Sequence, residues 1–249
     1  MAGAEPSSGV PDTSQAESQN LDITSLASTP IDVHMLTYHA RGCDVVKLDV
    51  IIDGFLNGFP IHYSGPRRSR DAKNLRSAQA RPDIVTQKIN AEILAKRVAG
   101  PFDSSPFDNL IVSPLGLVPK KCDDPNTSEV KKFRMIHHLS YPAGESINDY
   151  IDPVLTSVQY TSFDEAINMI QRLGRHCKLF KIDIKNAFRL IPVRPADFEL
   201  LGFKHNNHYY FDKSLPFGSS ISPKTWECFS TLLECCVKNR MTSGDLLHY

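Results

Sequence analysis

Asp183 stands in Leu179-Phe180-Lys181-Ile182-Asp183-Ile184-Lys185-Asn186-Ala187-Phe188, where apolar side chains alternate with or flank polar ones as far as Ile184. That pattern predicts a short strand entering a core, with the carboxylate near its end. An unpaired buried charge costs several kcal/mol, so Asp183 needs a cation, hydrogen-bond donors or water. Two roles meet that need: ligand to a divalent ion, or cap of a turn. A second chemistry is cationic. Leu115, Leu117 and Val118 predict a strand ending in Lys120 and Lys121, and residues 131–139 predict its hairpin partner after a polar turn at 122–129. Such a hairpin brings Lys120 and Arg134 within reach of one anion. Two cations without an acidic partner repel, so a phosphate chain between them would stabilise the pair; the other reading is an exposed basic hairpin that binds nothing. His205-x-x-His208 lacks Cys or acidic companions at zinc spacing and reads as two solvent-facing histidines of a hairpin turn.

The elements that must position these groups come from 249 residues, 41% hydrophobic, enough for one large domain or two small ones. The formal net charge is zero, but residues 1–30 hold Glu5, Asp12, Glu17 and Asp22 and no Lys or Arg, leaving 28 basic residues against 24 of the 28 acidic ones in the remainder. A mildly basic body permits a polyanionic partner. The six cysteines show no Cys-x-x-Cys, and the adjacent Cys235-Cys236 pair is a poor disulfide, which favours a reducing intracellular compartment. There is no apolar run of membrane-spanning length and no signal-peptide pattern at the N-terminus, so the expectation is a non-secreted protein with no membrane partner, cytoplasmic or nuclear.

Three regions follow: a disordered acidic tail over 1–30, a lead-in with a basic linker over 31–81, and a main body over 82–249. The tail is poor in large apolar groups and cannot offset its ordering entropy. Residues 65–81 carry six basic residues against one Asp; such a stretch could contact phosphates, but a solvated linker is the commoner case and the preferred reading. A helix is expected from Asp83, with Val85, Ile89, Ile93 and Leu94 on its inner side and Gly100-Pro101 as its stop. Ser162 to Glu165 form a capping box for a helix that turns Phe163, Ala166, Ile167, Ile170 and Leu173 inward and ends at Gly174. Residues 200–203 and 208–211 predict a hairpin. Residues 214–223 predict a loop leading into a helix capped by Ser222, with Pro223 in its first turn. Asp245 to Tyr249 begin another strand.

Four blocks in this order resemble the polymerase domain of reverse transcriptases: Ser113-Pro114 with Lys120-Lys121; Phe133-Arg134-Met135-Ile136; residues 180–188; and Leu215-Pro216-Phe217-Gly218 with Ser222-Pro223. Residues 136–142 and the lead-in further resemble retroelements of the tyrosine-recombinase (DIRS-like) class. The resemblance implies an α+β, right-hand polymerase with fingers and an antiparallel palm sheet backed by helices, truncated and without a thumb. It implies that Asp183 and the Ile184 carbonyl ligate Mg²⁺, two ions in the complete enzyme, and that Lys120 and Arg134 grip an incoming triphosphate. Ile184, Asn186, Ala187, Phe217 and Gly218 match positions lining the nucleotide, and Phe188 matches the aromatic gate that excludes a ribose 2′-hydroxyl. The implied partners are an RNA or DNA template with a DNA primer and deoxynucleoside triphosphates.

Two departures qualify the match. His138 and Ser140 stand where retroviral relatives carry an acidic residue and an Arg, which puts the template contacts in question. Leu246-Leu247-His248-Tyr249 resembles the approach to a Tyr-x-Asp-Asp hairpin whose aspartates are not among these residues. The expectation is therefore an RNA-directed DNA polymerase fragment, acting by two-metal nucleotidyl transfer in the complete protein and inactive as this chain. The alternative is a non-catalytic nucleic-acid-binding or structural protein derived from such a polymerase.

Overall fold

The computed structural model describes residues 23–120, 132–179 and 181–241. Its first helices are short and side-chain capped. α1 (Val33–His39) starts where Asp32 accepts from the His34 and Met35 N–H groups, and α2 (Val45–Asn57) where Asp44 accepts from Lys47. α2 buries Ile51 and Phe55. The basic run at 65–81 is more than a solvated linker, because Arg67 pairs with Asp197 at 2.6 Å and Glu199 at 2.9 Å, and a single turn, α3 (Arg76–Gln79), packs beside the next sheet. Charge alone does not separate a free run from one whose carboxylate partners lie far along the chain.

α4 (Pro82–Leu94) opens with Pro82 and carries Asp83 in its first turn, and it buries Val85 and Ile89. Leu94, expected on the inner side, is 86% exposed because the helix ends there. Gly100-Pro101 does not stop it. Both lie inside β1 (Val98–Phe102), which pairs with a single strand and breaks register between Ala99 and Phe102. A sheet edge with a bulge tolerates a residue that has no N–H.

β2 (Leu115–Pro119) and β3 (Phe133–His137) form the expected hairpin, with Val118 opposite Arg134 and Pro119 opposite Phe133. After α5 (Phe163–Leu173), the second expected hairpin forms from β4 (Gly202–His205) and β5 (His208–Asp212), turning through Asn206 and Asn207, both at positive φ. β5 is central in a three-stranded antiparallel sheet of order β1-β5-β4. α6 (Ser222–Lys238) follows; Ile221 occupies its N-cap, and Ser222, expected there, instead donates its hydroxyl to the Pro216 carbonyl. The large core joins α1, α2 and α6 to β5 and the segments around Ile111, Ile151 and Ile191, and a smaller one lies between α4 and the two sheets. The architecture is α+β with small antiparallel sheets.

Several expectations need correction. Residues 23–30 are not a free tail, since Ala27 is buried and the Ser28 N–H donates to the Lys96 carbonyl; a tertiary contact supplies what composition lacked. The strand expected at 179–184 does not form: residues 177–179 and 181–184 belong to no helix or strand, and Leu179 and Ile182 are 60% and 76% exposed. A strand needs a hydrogen-bonded neighbour, and none of the described strands runs beside it. No palm sheet is thus built around Asp183 among the described residues. α5 has its Ser162 cap and ends at Gly174 as expected, but Phe163 is 80% exposed and Ile167, Ile170 and Leu173 are exposed too. His205 is buried and bonded to the Thr86 hydroxyl at 2.7 Å rather than facing solvent. Cys43 and Cys235, far apart in sequence, form a disulfide. No helix among the described residues is long and apolar enough to cross a membrane. Phe180, the 122–129 turn and the 245–249 strand lie outside the described residues.

Candidate functional site

The β2–β3 ladder fixes the cationic pair. Arg134 lies opposite Val118, and the Lys120 N–H donates to the Lys132 carbonyl at 2.8 Å, so the ladder runs one residue past each strand. Residues two apart share a face, which puts Lys120 and Arg134 diagonally on the same side of the ribbon. Both are exposed.

The loop 215–221 closes over the end of β3. The His137 N–H donates to the Phe217 carbonyl at 2.9 Å, and Gly218 adopts φ +129°. A Cβ at Gly218 would stand 1.9 Å from the His137 carbonyl oxygen, so only glycine lets the loop approach this closely. The Phe217 ring lies beneath the Arg134 guanidinium at 5.2 Å and beside the Phe188 ring at 5.4 Å. Phe188 arrives from a different direction, in a 3₁₀ turn (Ala187–Leu190) that Asn186 enters in the left-handed region at φ 56°. Arg134, Phe188, Phe217 and Gly218 are thereby one contiguous surface.

Buried charges hold that surface in place. Arg189, next to Phe188, is 5% exposed and pairs with Glu92 at 2.9 Å and Asp212 at 2.7 Å, while its Nη1 donates to the Ser214 carbonyl. Burial alone would raise the Asp212 carboxyl, but Arg189 and His137 hold it below its ordinary value; Glu92 is likewise pushed up by burial and brought below by Arg189 and Arg97. The His137 ring joins Asp212 through Nδ1 at 2.9 Å and the Gly202 carbonyl through Nε2 at 3.0 Å. One network therefore ties the turn carrying Phe188 to β5 and to the end of β3.

Sequence reasoning missed Asn148. Its side-chain amide donates to the Ser140 hydroxyl and the Gly218 carbonyl, each at 2.8 Å, and its oxygen accepts from the Ser220 N–H at 2.9 Å. It pins the 217–220 loop to the chain leaving β3. Arg189 and Asp212 were missed as well, because nothing local marks a charge whose partners are decided by folding.

Asp183 and Ile184 sit apart in character from this surface. Residues 181–186 are exposed, and Ile182 and Ile184 line an apolar groove of about 960 Å³ with Met35 and Leu36 of α1 and Leu233 of α6. A carboxylate and a main-chain carbonyl are hard oxygen donors of the type Mg²⁺ accepts. Among the described residues no group of three His, Cys, Asp or Glu side chains is assembled to hold a metal. Asp183 and Ile184 therefore fit such an ion in kind and supply only part of a site.

No protein-family model matches the chain, and no curated protein does. Among solved structures, the native prototype foamy virus protease-reverse transcriptase is similar at 17% identity over 76% of this chain and 22% of that one, with a TM-score of 0.45. The foamy viral protease-reverse transcriptase in complex with RNA/DNA hybrid is 15% identical over 90% of this chain and 29% of that chain, TM-score 0.45. In complex with dsDNA it is 14% identical over 90% and 45%, TM-score 0.46. The chain thus spans less than half the length of these structures.

Proposed function

We propose that these residues are the nucleotide-gripping part of an RNA-directed DNA polymerase of a retroelement, fingers and palm in part, most like the DIRS-like class. The observation that carries the reading is the contact of Arg134, Phe217 and Phe188, which come from three of the four sequence blocks and are brought together by folding. A deoxynucleoside triphosphate suits that surface chemically. Lys120 and Arg134 would neutralise its phosphates, Arg134 with forked donors, and the apolar Phe188 edge has no hydroxyl to accept a ribose 2′-OH. Phe217 and Gly218, with Asn186 and Ala187, would line the base and sugar. The template and primer would run beside the same loop.

When bound, Mg²⁺ supplies charge neutralisation at the attacking and leaving oxygens of nucleotidyl transfer. Asp183 and the Ile184 carbonyl would hold it together with further carboxylates, which the described residues do not gather into a three-ligand site, and these residues alone are expected to bind nucleotide without extending a primer. The exposure of Asp183 on irregular backbone favours a second reading, a nucleic-acid-binding protein without chemistry.

Titration of the chain with a fluorescent deoxyadenosine triphosphate and Mg²⁺ tests the proposal. Lys120→Ala and Arg134→Ala should each weaken binding about tenfold, in keeping with a lost charge-assisted contact. Phe188→Ala should narrow the preference for deoxy- over ribonucleotide. Equal binding by all three variants and the unaltered chain would refute nucleotide gripping, and binding of primer-template without nucleotide would support the second reading.

A further inference from the structure

The Cys43–Cys235 disulfide lies where it can act as more than a passive brace. Its Cα atoms are 6.0 Å apart, in the turn before α2 and in the last turn of α6, and both residues are half-buried rather than sealed in the core. Accessible disulfides are the labile ones. The Asn239 side-chain amide points at both sulfurs, 3.5 Å from Cys43 Sγ and 3.8 Å from Cys235 Sγ, a donor that favours a thiolate on either. Arg41 and Arg240 add positive charge around the same turn, each over the Tyr38 ring. The neighbouring Cys236 is buried, and burial pushes its thiol up, which makes it a poor competitor for exchange.

What the bond braces is α1, a helix with one buried side chain that packs on α2. α1 buries Leu36 alone, and its C-terminal end is tied to α6 by Arg240 donating to the His39 carbonyl and Asn239 donating to the Arg41 carbonyl, both at 3.1 Å. α2 is held differently, with Ile51 and Phe55 buried and the Phe55 ring 4.9 Å from that of Phe229. Met35 and Leu36 of α1 form one wall of the groove that Ile182 and Ile184 line.

We propose that Cys43 and Cys235 are a reversible thiol–disulfide clamp, which when oxidised fixes α1 against α6 and sets the groove beside residues 181–184, and when reduced releases α1 while α2 stays docked. Closure by glutathione disulfide balances: one cysteine thiolate attacks it and expels one glutathione, the second attacks the mixed disulfide and expels another. Two protein thiols lose two electrons and two protons as one glutathione disulfide becomes two glutathiones. A dithiol reverses the exchange and leaves as its own disulfide.

The test compares the folded chain after glutathione disulfide and after dithiothreitol, by alkylation mapping and by hydrogen exchange. The oxidised chain should protect Cys43 and Cys235 from alkylation and leave Cys122, Cys177, Cys228 and Cys236 reactive after denaturation, with all six reactive once reduced. Reduction should speed exchange across residues 33–43 by about tenfold or more and across 51–57 by less than about twofold. Cys43→Ser in glutathione disulfide should match the reduced chain, and Cys228→Ser should match the unaltered one. A Cys43–Cys235 pair that stays alkylatable, that resists dithiothreitol in the folded chain, or whose reduction leaves residues 33–43 unchanged would overturn the clamp. Because these readouts need neither nucleotide nor catalysis, they are independent of the polymerase reading.

Discussion

Replacing Arg189 by Met asks whether the surface formed by Arg134, Phe217 and Phe188 rests on a buried charge network. Methionine keeps most of the aliphatic stem and so leaves little cavity. Its cost comes from what remains: Asp212 keeps His137, and Glu92 keeps Arg97 at 2.8 Å, so neither carboxylate is left wholly bare. Breaking a buried pair on one side costs about 3–5 kcal/mol, and the surviving partners put this case near the lower end. The Ser214 carbonyl also loses its guanidinium donor at 3.1 Å, for about 1 kcal/mol more. A total of about 4 kcal/mol should appear in urea unfolding followed by circular dichroism, with the melting point falling by about 8–16 °C. Adding Asp212→Asn should cost less than it does alone, because the orphaned charge goes with it, giving a coupling of about 1–3 kcal/mol. A loss under about 1 kcal/mol for Arg189→Met, or strict additivity in the double variant, would refute the network as the support of the site.

Three further outcomes are expected. Gly218→Ala should destabilise by about 1–3 kcal/mol, since a Cβ meets the His137 carbonyl and φ +129° strains any L residue, and it should weaken nucleotide binding beyond what the stability loss explains; calorimetry and titration separate the two. Asn148→Ala removes three side-chain hydrogen bonds and should cost about 1–3 kcal/mol while raising hydrogen exchange at Ser220, and unchanged exchange there would contradict the pinning role. Asp212, Glu92 and Asp197 all have carboxyls held below their ordinary values, against burial, by Arg189, Arg97 and Arg194 among others. For a lowered acid the stabilisation is complete above the unfolded value near 4 and is lost as pH falls through the lower folded value. Urea midpoints should therefore hold down to about pH 5 and drop below about pH 4, and Asp197→Asn should flatten that drop.

The hairpins were legible because they rest on local chemistry. Leu115, Leu117 and Val118 marked the first strand, the polar stretch after Lys121 marked its return through Phe133 to His137, and Asn206-Asn207 suits a tight turn. Helix caps were equally plain at Ser162. β1 escaped because Gly100-Pro101 reads as a break unless the strand is known to lie on an edge. Residues 179–184 erred the other way: their alternation suits a strand, but alternation cannot supply the neighbouring strand that a ladder requires. α5 shows the same limit, with an apolar face evident in sequence and left exposed at Phe163 and Ile167.

By itself the sequence determined where the cations, helix caps and turns of this chain fall and in what order its four blocks occur, because residue type and short-range spacing set charge, capping and turn geometry. Only the tertiary structure decided that Arg134, Phe188, Phe217 and Gly218 meet, that Asn148 and Arg189 hold them, and that Cys43 finds Cys235. Those pairings join groups tens to hundreds of residues apart, and the register and packing that select them are properties of the whole core.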